Sequence, residues 1–369
     1  MIRKFVFGLA VAGFAGLGLM ATTSAFAASD VSNSGSAANQ AVTAVAAPIA
    51  SAQTASLISG AIGGGLSGGL GGFSGGTGAG FSPGGGGGGF SPGGAGGNTT
   101  SFLNSREQGR AAGNGDKRWG AWAMGSYTTI ENTQSGVQMD GNVYNLVGGL
   151  DYMLTDRVVV GVSLGYENLD LDTTFNLGSV KNDGFSLIPY VGYQINNTWS
   201  VDLAGGMSWL NYDVKRNTTV TGSYDAERWL VSANLSGNYG FGRVRLMPKF
   251  GVLYLEEESD AYRESTGGTV AGNKTKLGRL SAGGKVGYAF DSVMPFFKLV
   301  GEYDFDKNDP SLISPGRFTH DEDFGAQIGG GFDFYGSSVI SGTVEGAYLS
   351  AGREDLNIWT VSARLRAKF

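Results

Sequence analysis

His320 is the only histidine in this chain of 369 residues, and there is no cysteine. A serine or threonine nucleophile needs a base beside it and a third group that orients the base. His320 runs straight into Asp321, Glu322 and Asp323. A His–Asp pair among loop carboxylates is the set an outer-membrane protease would use, and a solvated acidic loop accounts for the same residues. Metal centres that rely on several His or Cys ligands are excluded by count. Asp304-Phe-Asp306-Lys-Asn308 opens like a calcium-binding loop, but position six is Asp309 instead of Gly and position twelve is Pro315 instead of Glu. The tight turn and the bidentate ligand are both missing. Glu256-Glu-Glu-Ser-Asp260 is an acidic run that can hold divalent ions against lipopolysaccharide or serve as a solvated loop base. These residues predict no catalytic group, no cofactor and no metal site.

A second set of charges is more informative. Arg243, Arg245, Lys249, Lys285, Lys298, Glu302, Glu345, Arg364 and Arg366 fall opposite the apolar row of segments that alternate in polarity. In a membrane protein such charges need water or a partner. They can bridge to one another, line an ion path or grip a helix inside a barrel.

The elements that must position them are strands. From Arg118 to the end the chain falls into twelve alternating segments, from 118–130 to 355–369. In the fifth, Trp199, Val201, Leu203, Gly205, Met207 and Trp209 oppose Ser200, Asp202, Ala204, Gly206 and Ser208. Period-two alternation of this kind marks an extended strand with one apolar and one polar face. The apolar rows carry aromatics at their ends, as the girdles of a transmembrane barrel do. The register predicts Val160, Val162, Leu203 and Ile328 toward lipid, and Asp202, Gln327 and Arg364 toward the lumen. Short turns, such as Thr155-Asp156 and Asn196-Asn197, alternate with longer polar loops at 131–140, 171–179, 213–224, 257–274, 307–320 and, shorter, 351–354. The fold class predicted is an all-β, twelve-stranded antiparallel transmembrane barrel over residues 117–369.

Upstream, Arg3 and Lys4 precede an apolar run from Phe5 to Met20 and an Ala25-x-Ala27 site. That is the pattern of a cleavable secretory signal over 1–27. Residues 28–98 form a low-complexity, passenger-like segment rich in Ala and then in Gly, in which Gly80-Phe-Ser-Pro-Gly-Gly recurs from Gly89. A weak helix around Ala44–Gly60 is interrupted by Pro48, and the Gly-rich stretch reads as a flexible tether. Helix formers around Arg106, Glu107 and Arg110 make 99–116 the candidate lumen helix or linker. The net charge of −6 argues against a nucleic-acid partner.

Arg118-Trp-Gly-Ala-Trp-Ala-Met-Gly-Ser126, Asn145-Leu-Val-Gly-Gly-Leu-Asp-Tyr-Met-Leu154, Val160-Gly-Val-Ser-Leu-Gly-Tyr166 and Ile188-Pro-Tyr-Val-Gly-Tyr193 resemble, in order, the first four strands of the autotransporter β-domain. The tail, in which Val361, Leu365 and Phe369 alternate with cationic residues, resembles the C-terminal assembly signal of bacterial outer-membrane barrels. The resemblance implies a monomeric type V secretion translocator in the outer membrane of a Gram-negative bacterium, surrounded by lipid and lipopolysaccharide. The barrel-assembly machinery would read the Phe369 strand. It also implies a lumen helix before the first strand, here 100–113, with Arg106, Glu107 and Arg110 paired to Arg243, Arg245, Lys285, Arg364 and Arg366 or their neighbours on the wall. The expected function is translocation or display of the short N-terminal segment at the cell surface without catalysis. A porin-like or structural barrel with a periplasmic tail is the alternative, and an outer-membrane hydrolase is a weaker one.

Overall fold

A computed structural model describes residues 35–66, 118–134, 137–307, 323–335 and 340–369. The signal segment 1–27, the tract 67–98, the candidate helix 99–116 and His320 lie outside the described residues.

Twelve strands form the wall: β1 Trp119–Asn132, β2 Met139–Thr155, β3 Val158–Thr173, β4 Gly178–Gln194, β5 Trp199–Arg216, β6 Val220–Gly237, β7 Val244–Ser259, β8 Asn273–Tyr288, β9 Val293–Lys307, β10 Phe324–Tyr335, β11 Ile340–Ala351 and β12 Leu356–Lys368. Each pairs antiparallel with the next, and β12 returns to β1 from Gly120↔Lys368 to Asn132↔Leu356. The sheet therefore closes on itself and leaves no unpaired edge.

Alternation sets which way each side chain points. Val162, Leu203 and Ile328 are 44, 48 and 42 % exposed on the outer face, whereas Asp202 and Arg364 are buried in the lumen. Gln327 donates to Glu302 on the same inner side. Two aromatic belts run round the outside. Trp119–Tyr152 and Tyr288–Phe290 lie at the end with the short turns. Tyr127–Tyr144, Trp229–Tyr254 and Tyr348–Trp359 lie at the other end. On β1 the belts are eight residues apart, roughly 26 Å of strand.

The strands run further past the outer belt than the alternation suggested. Segments 171–179 and 213–224 were expected as loops. Instead β3 and β4 pair down to Thr173↔Gly178, and β5 and β6 to Arg216↔Val220. Polar cross-strand contacts such as Lys181–Asp170 at 2.7 Å sustain this part, and its Asp, Asn and Lys content is what made it read as loop. The 257–274 connection also differs. Tyr262–Arg263 pairs with Thr269–Val270 in a small hairpin, which turns through Gly267 at φ +89°.

Candidate functional site: a helix threaded through the lumen

Among the described residues one helix, α1, Gly35–Leu66, lies in the lumen. The expectation for this stretch was a passenger-like segment with a weak helix broken at Pro48. The backbone is helical through that position and on to Leu66, while the Gly-rich stretch from 67 lies outside the described residues. The proposed plug at 100–113, with Arg106, Glu107 and Arg110, lies outside the described residues.

Confinement explains why this sequence is helical here. From Ala47 to Leu66, Ala50, Ser51, Thr54, Ala55, Ile58, Ser59, Ala61 and Ile62 are all buried, on every side of the helix. A helix enclosed all round has no polar face to show. Small side chains let it fit between opposing walls, and a helix satisfies its backbone groups internally. Its 20 residues from Ala47 span about 30 Å, the thickness of the hydrocarbon layer.

Polar contacts at three helix residues, Gln53, Ser59 and Ala61, fix its height. Gln53 accepts a hydrogen bond from Asn145 Nδ2 at 2.8 Å and donates to Thr128. Ser59 donates to Asp202 Oδ2 at 2.9 Å and accepts from Lys249 Nζ at 3.0 Å, while Asn234 holds the second Asp202 oxygen. Near the helix C-terminus, the Ala61 carbonyl accepts from Arg366 Nη1 at 3.0 Å. Arg366 also grips Asp151 with two bonds of 2.9 and 2.6 Å, reaching from β12 across β1 to β2. At Gly192 a Cβ would lie 2.3 Å from Ile62 Cγ2 and 2.9 Å from Leu66 Cδ1, so only glycine admits the helix this close.

Helix direction follows from its neighbours. Ala50 packs with Val137, Met139, Leu171, Tyr262 and Val270 at the long-loop end. Ile62 and Leu66 pack with Trp122, Val159 and Tyr190 toward the short turns. The 262–270 hairpin folds over the long-loop mouth. Tyr262 continues a stack through Tyr224 to Tyr212 at 5.2 and 4.9 Å between centroids. Glu264 takes a bidentate bond from Arg216 at 2.7 and 2.6 Å, which raises the Arg216 pKa above its ordinary value.

The wall charges pair mainly with one another. Lys285 meets Asp333 at 2.8 Å and Lys298 meets Glu345. Arg228 bridges Glu167 and Glu257, both at 2.8 Å. Arg279 and Arg353 share Glu302 and Asp304. Of the inward cations singled out from the sequence, Arg366 and Lys249 bond α1, through the Ala61 carbonyl and the Ser59 hydroxyl. Arg243 sits exposed in a short turn, and Arg245 donates to the Gly242 carbonyl of that turn at 2.6 Å, so both lie at the rim. The physical reason is that α1 carries no charged residue between Gly35 and Leu66. Asp151, Gln53 and Ser59 were not singled out from the sequence, because nothing in a Ser- and Ala-rich stretch announces a lumen partner.

The C-terminal strand completes the enclosure. Phe369 N donates to the Trp119 carbonyl at 3.0 Å and Trp119 N to the Phe369 carbonyl at 3.1 Å. Val361, Leu365 and Phe369 point outward, 58–66 % exposed.

A closed twelve-stranded barrel with lipid-facing belts and a helix filling its bore is a plugged transmembrane barrel of the outer-membrane kind. The chain belongs to the family described as the autotransporter beta-domain, whose model matches residues 121–347, more than half of it. It is therefore an outer-membrane translocator barrel of the type V secretion class. Among solved structures it is similar to the translocator domain of the autotransporter NalP from Neisseria meningitidis, at 16 % identity and a TM-score of 0.57 over 69 % of this chain and 90 % of that one. It is also similar to the beta domain of the Bordetella autotransporter BrkA, at 20 % identity and a TM-score of 0.55 over 68 % of this chain and all of that one. Among curated proteins it is 27 % identical over 218 residues to esterase EstA of Pseudomonas aeruginosa, a match that takes in 53 % of this chain and 33 % of EstA. The chain thus spans about a third of the length of that relative.

Proposed function

We propose that this barrel carries the chain upstream of Gly35 to the cell surface and holds it there, with α1 left in the bore as the seal. The observation that carries this reading is the direction of α1. Its N-terminal side leads out at the long-loop end, which in outer-membrane barrels faces the outside. Its C-terminal end, Leu66, and the first wall residue, Trp119, both lie at the short-turn end. The 67–118 connection therefore begins and ends on the periplasmic side. On this reading the Gly-rich tract is a periplasmic tether, and the displayed part is the sequence before the helix, which narrows the sequence-based expectation that the whole 28–98 segment is displayed.

The same reading carries its partners. The machinery that inserts the barrel recognises the outward row Val361, Leu365 and Phe369, and the barrel acts as a monomer among lipid and lipopolysaccharide. Catalysis is not part of it. The activity in the name EstA belongs to a protein of which this chain matches a third.

The absence of cysteine makes the test direct. Ser32→Cys and Gly86→Cys are introduced singly and treated on intact cells with a membrane-impermeant maleimide. Ser32→Cys is expected to react on intact cells, and Gly86→Cys only after the outer membrane is opened. Reaction at Gly86→Cys on intact cells overturns the assignment of sides.

A further inference from the structure

Among the described residues of the lower wall, one buried cation is left without a carboxylate of its own. Around the lower wall, Lys285, Lys298, Arg364 and Arg366 face Asp333, Glu345 and Asp151, all of them at most 5 % exposed. Three cations are taken: Lys285 by Asp333, Lys298 by Glu345 and Arg366 by Asp151. The Arg364 guanidinium has no hydrogen bond and no ion pair among the described residues, and its Nη1 is sealed without an acceptor. On the same face of β12, two residues along, Arg366 Nε is also buried without an acceptor. The charges that act on Arg364 come from Asp333, Glu345 and Arg366, and both carboxylates are already engaged by lysines. The helix opposite brings no counter-charge, and its nearby carbonyl, Ala61, is taken by Arg366. Arg364 stands in register between Met124 of β1 and Thr343 of β11, and the Thr343 hydroxyl is committed to Asp333.

An isolated guanidinium in a low-dielectric interior is strongly unfavourable and cannot relieve itself by losing its proton. It needs a negative partner that the described residues do not supply. We propose that the lumen beside Arg364 is an anion site, in which a small monovalent inorganic anion of chloride size accepts from Arg364 Nη1 and Arg366 Nε and restores neutrality. Both donors project from the same face of β12, two residues apart. The competing occupant is a water between Arg364 and Glu345 Oε2, which is likewise buried without a donor. A water would satisfy hydrogen bonds and leave the charge uncancelled.

The experiment uses the full-length protein, folded in detergent, crystallised and soaked in bromide. An anomalous peak in contact with the Arg364 guanidinium, absent from the Arg364→Gln protein, is the expected result. No peak in the native protein, a water at that place, or a peak that persists in Arg364→Gln, and so marks an adventitious ion only, overturns the proposal. Where Arg364→Gln fails to assemble, the native protein decides through its melting temperature. At constant ionic strength the midpoint should rise when a bulky organic anion is replaced by chloride or bromide. An unchanged midpoint overturns the proposal.

Discussion

Arg366 touches three parts of the molecule at once: its own closing strand, Asp151 two strands away, and the Ala61 carbonyl of the helix. Arg366→Gln strands a buried carboxylate, and losing one member of a buried pair costs about 3–5 kcal/mol. The double variant Arg366→Gln with Asp151→Asn should recover part of that loss, because no unpaired charge then remains. Urea unfolding of the two proteins in lipid vesicles measures the difference, and equal stability of the single and double variants would contradict the ion-pair account. On the outer face, Val162→Arg places a cation among lipid tails and should cost about 2–4 kcal/mol. Its neighbour Ser163, whose hydroxyl bonds the Ile188 carbonyl at 3.0 Å, should lose about 1 kcal/mol on Ser163→Ala. This inside–outside register was legible in the sequence because a period of two leaves one choice once the aromatic rows are assigned. The partners of the inward charges were not legible, since Lys285–Asp333 and Arg228–Glu167 depend on neighbours brought together by closure.

Helix α1 shows why an element legible only as a weak helix in the sequence can still dominate a site. Sequence reasoning looks for an amphipathic stripe or for charges that answer the charged wall. A helix enclosed on all sides has no stripe, and a wall whose ions answer one another leaves nothing for the helix to neutralise. The remaining signal was negative: 32 residues without a single charge, made of side chains small enough to fit. Packing at the helix end provides a test. Gly192→Leu drives new atoms into Ile62 and Leu66, the kind of overpacking that costs about 1–3 kcal/mol and here falls on the helix rather than the paired wall. The variant barrel should assemble normally and show a raised single-channel conductance in planar bilayers. The hairpin at the opposite mouth can be tested separately. Glu264→Ala removes the bidentate bond from Arg216, so trypsin should cut faster after Arg263, by about fivefold for each kcal/mol of local stability lost. An unchanged cleavage rate would mean that the tyrosine stack alone holds the hairpin down.

At the scale of the whole molecule, assembly and sealing reside in different parts of the chain. The wall closes through β12 and β1, whose ladder ends in the reciprocal bonds between Trp119 and Phe369. Its inner charges are satisfied largely within the wall. The helix contributes hydrogen bonds at Gln53, Ser59 and Ala61 and apolar filling, and it carries no charged residue with which to form an ion pair. Deleting Gly35–Leu66 should therefore leave a heat-modifiable barrel, while opening a bore lined by Asp202, Lys249, Arg228 and Asp151. Deleting Phe369 should do the reverse, because it removes the residue that completes the closing ladder and the outward row read during insertion, without touching the bore. Truncating 261–271 should impair insertion less than losing Phe369, since that hairpin lies outside the barrel ladder and meets the wall through Arg216, Thr221 and the tyrosine stack. Gel mobility before and after heating reports the barrel, and planar-bilayer recording reports the bore. The expected pattern is low conductance in the full-length protein, a large increase on deleting the helix, and loss of the heat-modifiable form on deleting Phe369. A full-length protein that already conducts strongly, with no increase when the helix is removed, would show that α1 does not seal the pore and would favour a porin-like barrel.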